Sequence, residues 1–256
     1  MCKVISISNH KGGVGKTQTA LEVSYFLAAK GYKVLAVDID QQANLTRAFL
    51  REPPAVTLYD SLMEEEKPLP VYKVKENLDL VPASPEMFGV GLKLILRQVN
   101  IPEDDCRMIL RRKLKPYLNQ YDYILINCPP SDNLMTINAL YATVNVIVVA
   151  NPEPFSVYGV KNFVDMMWQV KRDVNPALRL AGILINNYVV GSSGHINAEK
   201  ALRDWAPKFV CTAMIRQSRP LYNSVLAHQH IFSYYPESNG AKDYNAFINE
   251  IIIKLK

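Results

Sequence analysis

Long apolar runs are missing from this sequence. Stretches such as Val146 to Ala150 fall far short of the ~20 residues a helix needs to cross a bilayer, which excludes a helical membrane-spanning reading. Paired cysteines are missing too: Cys2, Cys106, Cys128 and Cys211 are scattered, with no CxxC spacing for zinc, a cluster or a disulfide framework. The first residues, MCKVISISNHKGG, have neither the apolar core nor the small-residue cleavage site of a secretory signal. A cytoplasmic protein with reduced thiols is expected. There is no internal repeat and no low-complexity tract.

What is present is an ordinary globular composition, 49% hydrophobic and 21% charged, in 256 residues. The formal charge of +5 permits a polyanionic partner such as DNA without requiring one. Short apolar, β-branched runs alternate with helical patterns, which predicts an α/β fold: a mostly parallel twisted sheet with helices on both faces. Strands are expected at Lys3 to Ser8, Lys33 to Val37, Leu78 to Pro82, Tyr123 to Asn127, Asn145 to Ala150, Leu180 to Asn186 and near Phe209 to Ile215. Helices are expected at Lys16 to Lys30, Pro85 to Gln98, Asp104 to Leu118, Phe155 to Val174, His195 to Asp204, Pro220 to His228 and Ala241 to Lys254. The proline-rich stretch 51–74 reads as an excursion at the sheet edge, so residues 1–256 are expected to form one domain.

The most informative segment joins the first strand to the first helix: Lys11-Gly12-Gly13-Val14-Gly15-Lys16-Thr17, followed by Gln18. Glycines let the backbone turn its N–H groups inward, and with the helix N-terminus they make a nest for phosphate oxygens. Lys16 is placed to reach the β- and γ-phosphates, and the Thr17 hydroxyl to ligate Mg²⁺. This is a P-loop for ATP. The short stretch ahead of Lys11 has room for one strand, so no N-terminal helix-turn-helix domain is expected before it.

The usual GxxxxGK[ST] pattern would put its first glycine at His10, and a second lysine, Lys11, opens the loop instead. This form resembles the deviant Walker A motif of the ParA, MinD and nitrogenase iron-protein group. The resemblance implies an ATP-dependent homodimer in which Lys11 crosses the interface to the facing subunit's phosphates, adding charge stabilisation only on dimerisation. Val37-Asp38-Ile39-Asp40-Gln41-Gln42-Ala43-Asn44 resembles the family's DxDPQGN switch. It carries Asp38 onto the magnesium shell and Asp40 onto the attacking water, making Asp40, Lys11 and Lys16 the implied catalytic set. Tyr121 to Ser131, YDYILINCPPS, is similar to the Walker B strand and following switch, with Asn127 where the family has Asp. Asparagine keeps an oxygen for a magnesium-bound water but loses the charge, so weaker Mg²⁺ binding and slower hydrolysis are expected.

Leu80 to Ser84 and Val148 to Ser156 also resemble ParA segments, in the family's order. The resemblance places Asn186 and the Ile215-Arg216 pair against adenine, though Asn186 also reads as an Asn that caps a turn after a strand. It implies non-specific DNA binding, for which Arg219 and Lys242 are the candidates, and a ParB-like or cargo-adaptor protein that stimulates hydrolysis. A nucleoid-associated positioning or segregation ATPase is therefore expected. The run Arg111 to Lys115 is denser in charge but reads as a solvated helix face. The alternative is a MinD-like membrane-cycling ATPase, for which the apolar stripe of the last helix would be the anchor. That stripe reads more simply as core.

Overall fold

Each strand expected from the apolar runs forms, and all lie in one sheet. The computed structural model describes residues 2–255. The strands are β1 (Lys3–Ser8), β2 (Val34–Asp38), β3 (Tyr72–Lys75), β4 (Leu78–Val81), β5 (Tyr123–Asn127), β6 (Asn145–Ala150), β7 (Arg179–Tyr188) and β8 (Val210–Arg216). Their order is β3-β4-β2-β5-β1-β6-β7-β8, parallel throughout except for the β3–β4 edge pair. A parallel sheet needs crossovers, and helices supply them on both faces. These are α1 (Lys16–Ala29), α2 (Asn44–Phe49), α3 (Leu58–Met63), α4 (Val90–Asn100), α5 (Ile109–Leu114), α6 (Leu134–Ala142), α7 (Ser156–Asp173), α8 (Ser193–Trp205), α9 (Arg219–Leu226), α10 (Ile231–Tyr234) and α11 (Asn239–Lys254). The central strands are apolar on both sides because both sides are covered: all of Ile124, Leu125 and Ile126, and all of Val146 to Ala150, are fully buried.

Strand register sets the site. Asp38 at the end of β2 lies opposite Asn127 at the end of β5, and Ile7 near the end of β1 lies opposite the same Asn127. The phosphate loop, the acidic switch and the Walker B end therefore emerge side by side at the carboxyl edge of the sheet. Ligands of open α/β sheets gather at that edge.

Several features differ from the sequence expectations, and the short helices α2 and α10 are not among the helices expected from the sequence. The edge excursion contains α3 and β3, and β3 pairs antiparallel with β4 through a tight turn at Asn77, whose φ is 60°. The helix expected from Pro85 breaks at Gly89, φ 80°, leaving a single 3₁₀ turn (Pro85–Met87) ahead of α4. The helix expected from Asp104 starts only at Ile109. Side chains hold the residues before it in turns: Gln98 Oε1 accepts from Cys106 N–H, and Asp105 Oδ1 accepts from Arg107 N–H. Helix α6 arises without having been expected, and Asn133 caps it, its Oδ1 accepting from Met135 and Thr136 N–H at 3.1 Å each.

Two surface readings also resolve. The basic run is partly structural rather than a solvated face: Lys113 Nζ donates to the carbonyls of Glu64, Glu65 and Lys67, and Arg112 pairs with Asp104. The apolar stripe of α11 is core, with Tyr244, Phe247, Ile248 and Ile251 buried in the cluster that includes α1 and β8. Among the described residues no helix is long and apolar enough to cross a membrane.

Candidate nucleotide site

Asn9 fixes the start of the loop. Its Nδ2 donates to the Val149 carbonyl on β6 at 2.7 Å, and its Oδ1 accepts from Lys11 N–H at 3.1 Å. Gly13 and Gly15 then take left-handed backbone, φ 71° and 94°, and α1 begins at Lys16. No side chain caps α1 and its first turn holds no acidic residue, so its leading N–H groups are open to an anion. Lys16 is buried and folds back, Nζ donating to the Lys11 carbonyl at 2.8 Å. Burial lowers its pKa, opposed by the charge of Asp40 nearby. Thr17 and Gln18 are half-buried on the first turn, and Gln18 Nε2 donates to buried Glu22 at 2.6 Å.

The switch carboxylates are held by backbone and amide donors. Asp38 is fully buried: Oδ1 accepts from Asn127 Nδ2 at 3.0 Å, and Oδ2 accepts from the N–H and hydroxyl of Thr46, both at 2.9 Å. Burial pushes its pKa up to about 6 against the pull of these donors. Asp40 Oδ1 accepts from Gln42 N–H at 3.0 Å, and burial raises its pKa while that donor and Lys16 lower it. Ala43, which closes the turn, has φ 49°. It occupies the place where the resembled DxDPQGN motif has glycine, so this chain puts a Cβ where the backbone is left-handed.

Asn127 joins the end of β5 to the switch carboxylate. Its Nδ2 is engaged with Asp38, while its Oδ1 is buried without a protein partner. A buried acceptor of this kind suits a metal-bound water. Among the described residues no group of three or more His, Cys, Asp or Glu could hold a metal by itself. A hydroxyl, one carboxylate and one amide oxygen beside a phosphate nest form the donor set expected for Mg²⁺ shared with a nucleotide.

Lys11 is exposed and pairs with Glu153 of its own chain, which holds that carboxyl below the usual range. Sequence reasoning gave Glu153 no role, although the Pro-Glu-Pro that follows β6 marks a fixed loop beside the phosphate site.

Asn186 is buried and its Nδ2 donates to the Val14 carbonyl at 2.8 Å, so the amide braces the loop from beneath. A Cβ on Gly15 would lie 2.2 Å from that Nδ2. Ile215 is fully buried in the core, and Arg216 is held by Asp243 through Nε and Nη2 at 2.9 and 2.6 Å. Neither Ile215 nor Arg216 borders the cavity of about 840 Å³ beside Gly15; Gln18, Asn186, Gln217, Ser218 and Arg219 do. β8 turns Ile215 into the core and the acid on α11 pins Arg216, so neither of these two expected adenine contacts lines that cavity. Arg219 and Lys242 stand at the starts of α9 and α11, two helices that meet where a Cβ on Gly240 would press on Leu221 at 2.7 Å. Lys242 lies 3.5 Å from Glu237 and is exposed.

Comparison with known proteins agrees with this geometry. A family profile described as "AAA domain" matches residues 2–180. The sporulation initiation inhibitor protein Soj of Bacillus subtilis is 31% identical, covering 98% of both chains. The chain belongs to the ParA/Soj family of partition ATPases. Among solved structures, the cell division ATPase MinD of Pyrococcus furiosus superposes with a TM-score of 0.82 at 28% identity over the full length of both chains. Cobyrinic acid a,c-diamide synthase of Mycobacterium smegmatis, solved with an ATP analogue and magnesium, gives 0.80 at 27% identity, covering 97% of this chain and 93% of that one. The relatives make this a positioning ATPase on the P-loop fold.

Proposed function

We propose that this chain binds ATP with Mg²⁺, closes face to face with a second copy, and positions a plasmid, chromosome region or protein cargo on DNA. The observation that carries the reading is the pair of lysines. Lys16 lies inside the loop, where a lysine serves its own nucleotide, and Lys11 stands outside it, held by Glu153. A second cation at the mouth is surplus to one site and useful to a facing one.

In this reading the backbone of Gly12, Gly13, Val14 and Gly15, with Gln18 beyond, cradles the phosphates. Thr17 would hold the magnesium ion directly, and Asp38 and Asn127 would hold it through water; the ion supplies charge neutralisation between the phosphates. Asp40 orients the attacking water, and Asn127 in place of a carboxylate keeps turnover slow. A ParB-like or cargo-adaptor protein stimulates hydrolysis and releases the dimer. Arg219, at the start of α9, and the exposed Lys242, in the first turns of α11, contact DNA phosphates without reading sequence. The burial of the α11 stripe favours DNA over membrane as the substratum, and with it a cytoplasmic, nucleoid-associated protein.

The test is co-sedimentation with plasmid DNA or with anionic vesicles, with and without ATP. Retention on DNA that requires ATP and falls with salt is the expected outcome; retention on vesicles alone would reject the reading. Arg219→Ala should weaken DNA binding across all sequences and lower the salt slope by about one contact.

A further inference from the structure

Glu22, the only acid of α1, is fully buried in the helix's second turn and has no role in the chemistry described above. The groups that face it are polar but uncharged. Gln18 lies one turn back on the same helix, Ile231 N–H opens α10, and the Tyr25 and Tyr244 hydroxyls, on α1 and α11, are both held protonated by burial. His230, which precedes α10 and stacks on Tyr25 at 4.2 Å, is pushed by burial down to about 4 and is neutral at physiological pH. Lys75 of β3 sits over the Tyr25 ring, 5.3 Å from its centre, and among the described residues no cation forms an ion pair with Glu22. A buried carboxyl without a cation is costly to ionise, and Glu22 holds its proton up to about 8. At neutral pH it is therefore a hydrogen-bond donor as well as an acceptor.

Gln18 is the side chain through which Glu22 reaches the nucleotide site. It borders both the cavity of about 840 Å³ beside Gly15 and a second one of about 300 Å³ that Thr17 also lines. In the structure the amide nitrogen faces Glu22, which is the arrangement an ionised carboxylate selects. The two side chains are 2.6 Å apart, at the short edge for an N–H donor and ordinary for an O–H donor. A protonated Glu22 keeps one oxygen to accept from Ile231 N–H and donates from the other to Gln18 Oε1. The amide nitrogen then faces the cavities, where a phosphate needs donors. With the ends reversed, an oxygen meets the phosphate and repels it.

We propose that Glu22 is a positioning residue for nucleotide binding: in its protonated form it donates to the Gln18 amide oxygen and turns the amide nitrogen toward the phosphates. Ionising Glu22 reverses the amide and weakens the site, so ATP affinity falls as pH rises. This rests on ATP binding at the loop and on Gln18 bordering the phosphates, and it needs no second subunit.

The test is the affinity of wild type, Glu22→Gln and Gln18→Ala for a fluorescent ATP analogue with Mg²⁺ at pH 7, 8 and 9. Melting temperatures in the same buffers show that each chain is folded. Glutamine at position 22 cannot ionise, and its amide donates to Gln18 Oε1 at every pH. The expected result is a wild-type affinity that falls about tenfold from pH 7 to pH 9, the worth of one hydrogen bond to a charged group. Glu22→Gln should keep the wild-type pH 7 affinity throughout, and Gln18→Ala should bind weakly with no step near pH 8. Lys16, whose pKa burial also lowers, is the same in all three chains. An equal fall in all three therefore belongs to Lys16 and overturns the proposal. So does a wild-type affinity that is flat with pH, or a Gln18→Ala chain that binds as tightly as wild type at pH 7. A folded wild-type chain that binds no analogue at any pH overturns the ATP reading itself, and this proposal with it.

Discussion

At the scale of single residues, one buried carboxylate, one alanine and one buried asparagine carry the sharpest expectations. Glu22 is buried on α1, accepting from Gln18 Nε2 and from Ile231 N–H, and burial pushes its pKa up to about 8. An acid whose pKa is raised on folding binds its proton more tightly in the folded state. Stability therefore declines as pH climbs from the ordinary value of 4.5 to about 8. Glu22→Gln should flatten the fall in melting temperature between pH 5 and 8; an unchanged profile would place the titration elsewhere. Ala43 holds a left-handed conformation at a cost of roughly 1–2 kcal/mol that glycine does not bear. Ala43→Gly should raise stability by up to about 1 kcal/mol in denaturant melts, the larger freedom of glycine in the unfolded chain offsetting the rest. Asn127→Asp would set a second carboxylate against buried Asp38. Without Mg²⁺ that like-charge pair should lower the melting temperature, and with Mg²⁺ the loss should be recovered and turnover should rise. Equal melting and equal turnover with and without the metal would contradict the role given to Asn127.

At the scale of elements, legibility followed the local signal. The two-faced apolar runs ILIN, VIVVA and GILIN place their strands within a residue or two of where they form, because a buried parallel strand has no solvent side to interrupt the pattern. β3 was not legible: YKVK is half lysine, and only its pairing with β4 makes it a strand. Nor was α6, whose cap at Asn133 falls two residues after a Pro-Pro-Ser segment that reads as switch loop. Within the site, the loop lysines and the DxD are visible in sequence because their chemistry fixes residue type and spacing. The base side is not, since the cavity wall depends on which way β8 turns Ile215 and on the Arg216–Asp243 pair, both tertiary facts. The loop–helix junction is the element least tolerant of change. Gly15→Ala adds a Cβ 2.2 Å from Asn186 Nδ2 at φ 94°, and it should abolish nucleotide binding measured with a fluorescent ATP analogue.

At the scale of the whole molecule, the sheet order brings three motifs, distant in sequence, to one edge, with Lys11 at their outer rim. Helices on both faces bury the apolar strands of the sheet, and the stripe of α11 that a membrane anchor would need to expose is itself core. On the exposed side of the loop Lys11 pairs with Glu153 of its own chain, and His10 beside it pairs with Asp132. In the proposed dimer the Lys11–Glu153 pair opens for Lys11 to cross to a second subunit, so the proposed dimer and the free chain would compete for one ammonium group. The central claim is that this group acts in trans. The most direct measurement is the molar mass of Lys11→Ala beside wild type with Mg²⁺ and a non-hydrolysable ATP analogue, with bound nucleotide counted in the same samples. The account predicts a wild-type dimer, and a Lys11→Ala chain that still binds one nucleotide but remains a monomer. A Lys11→Ala chain that dimerises as tightly as wild type would contradict it.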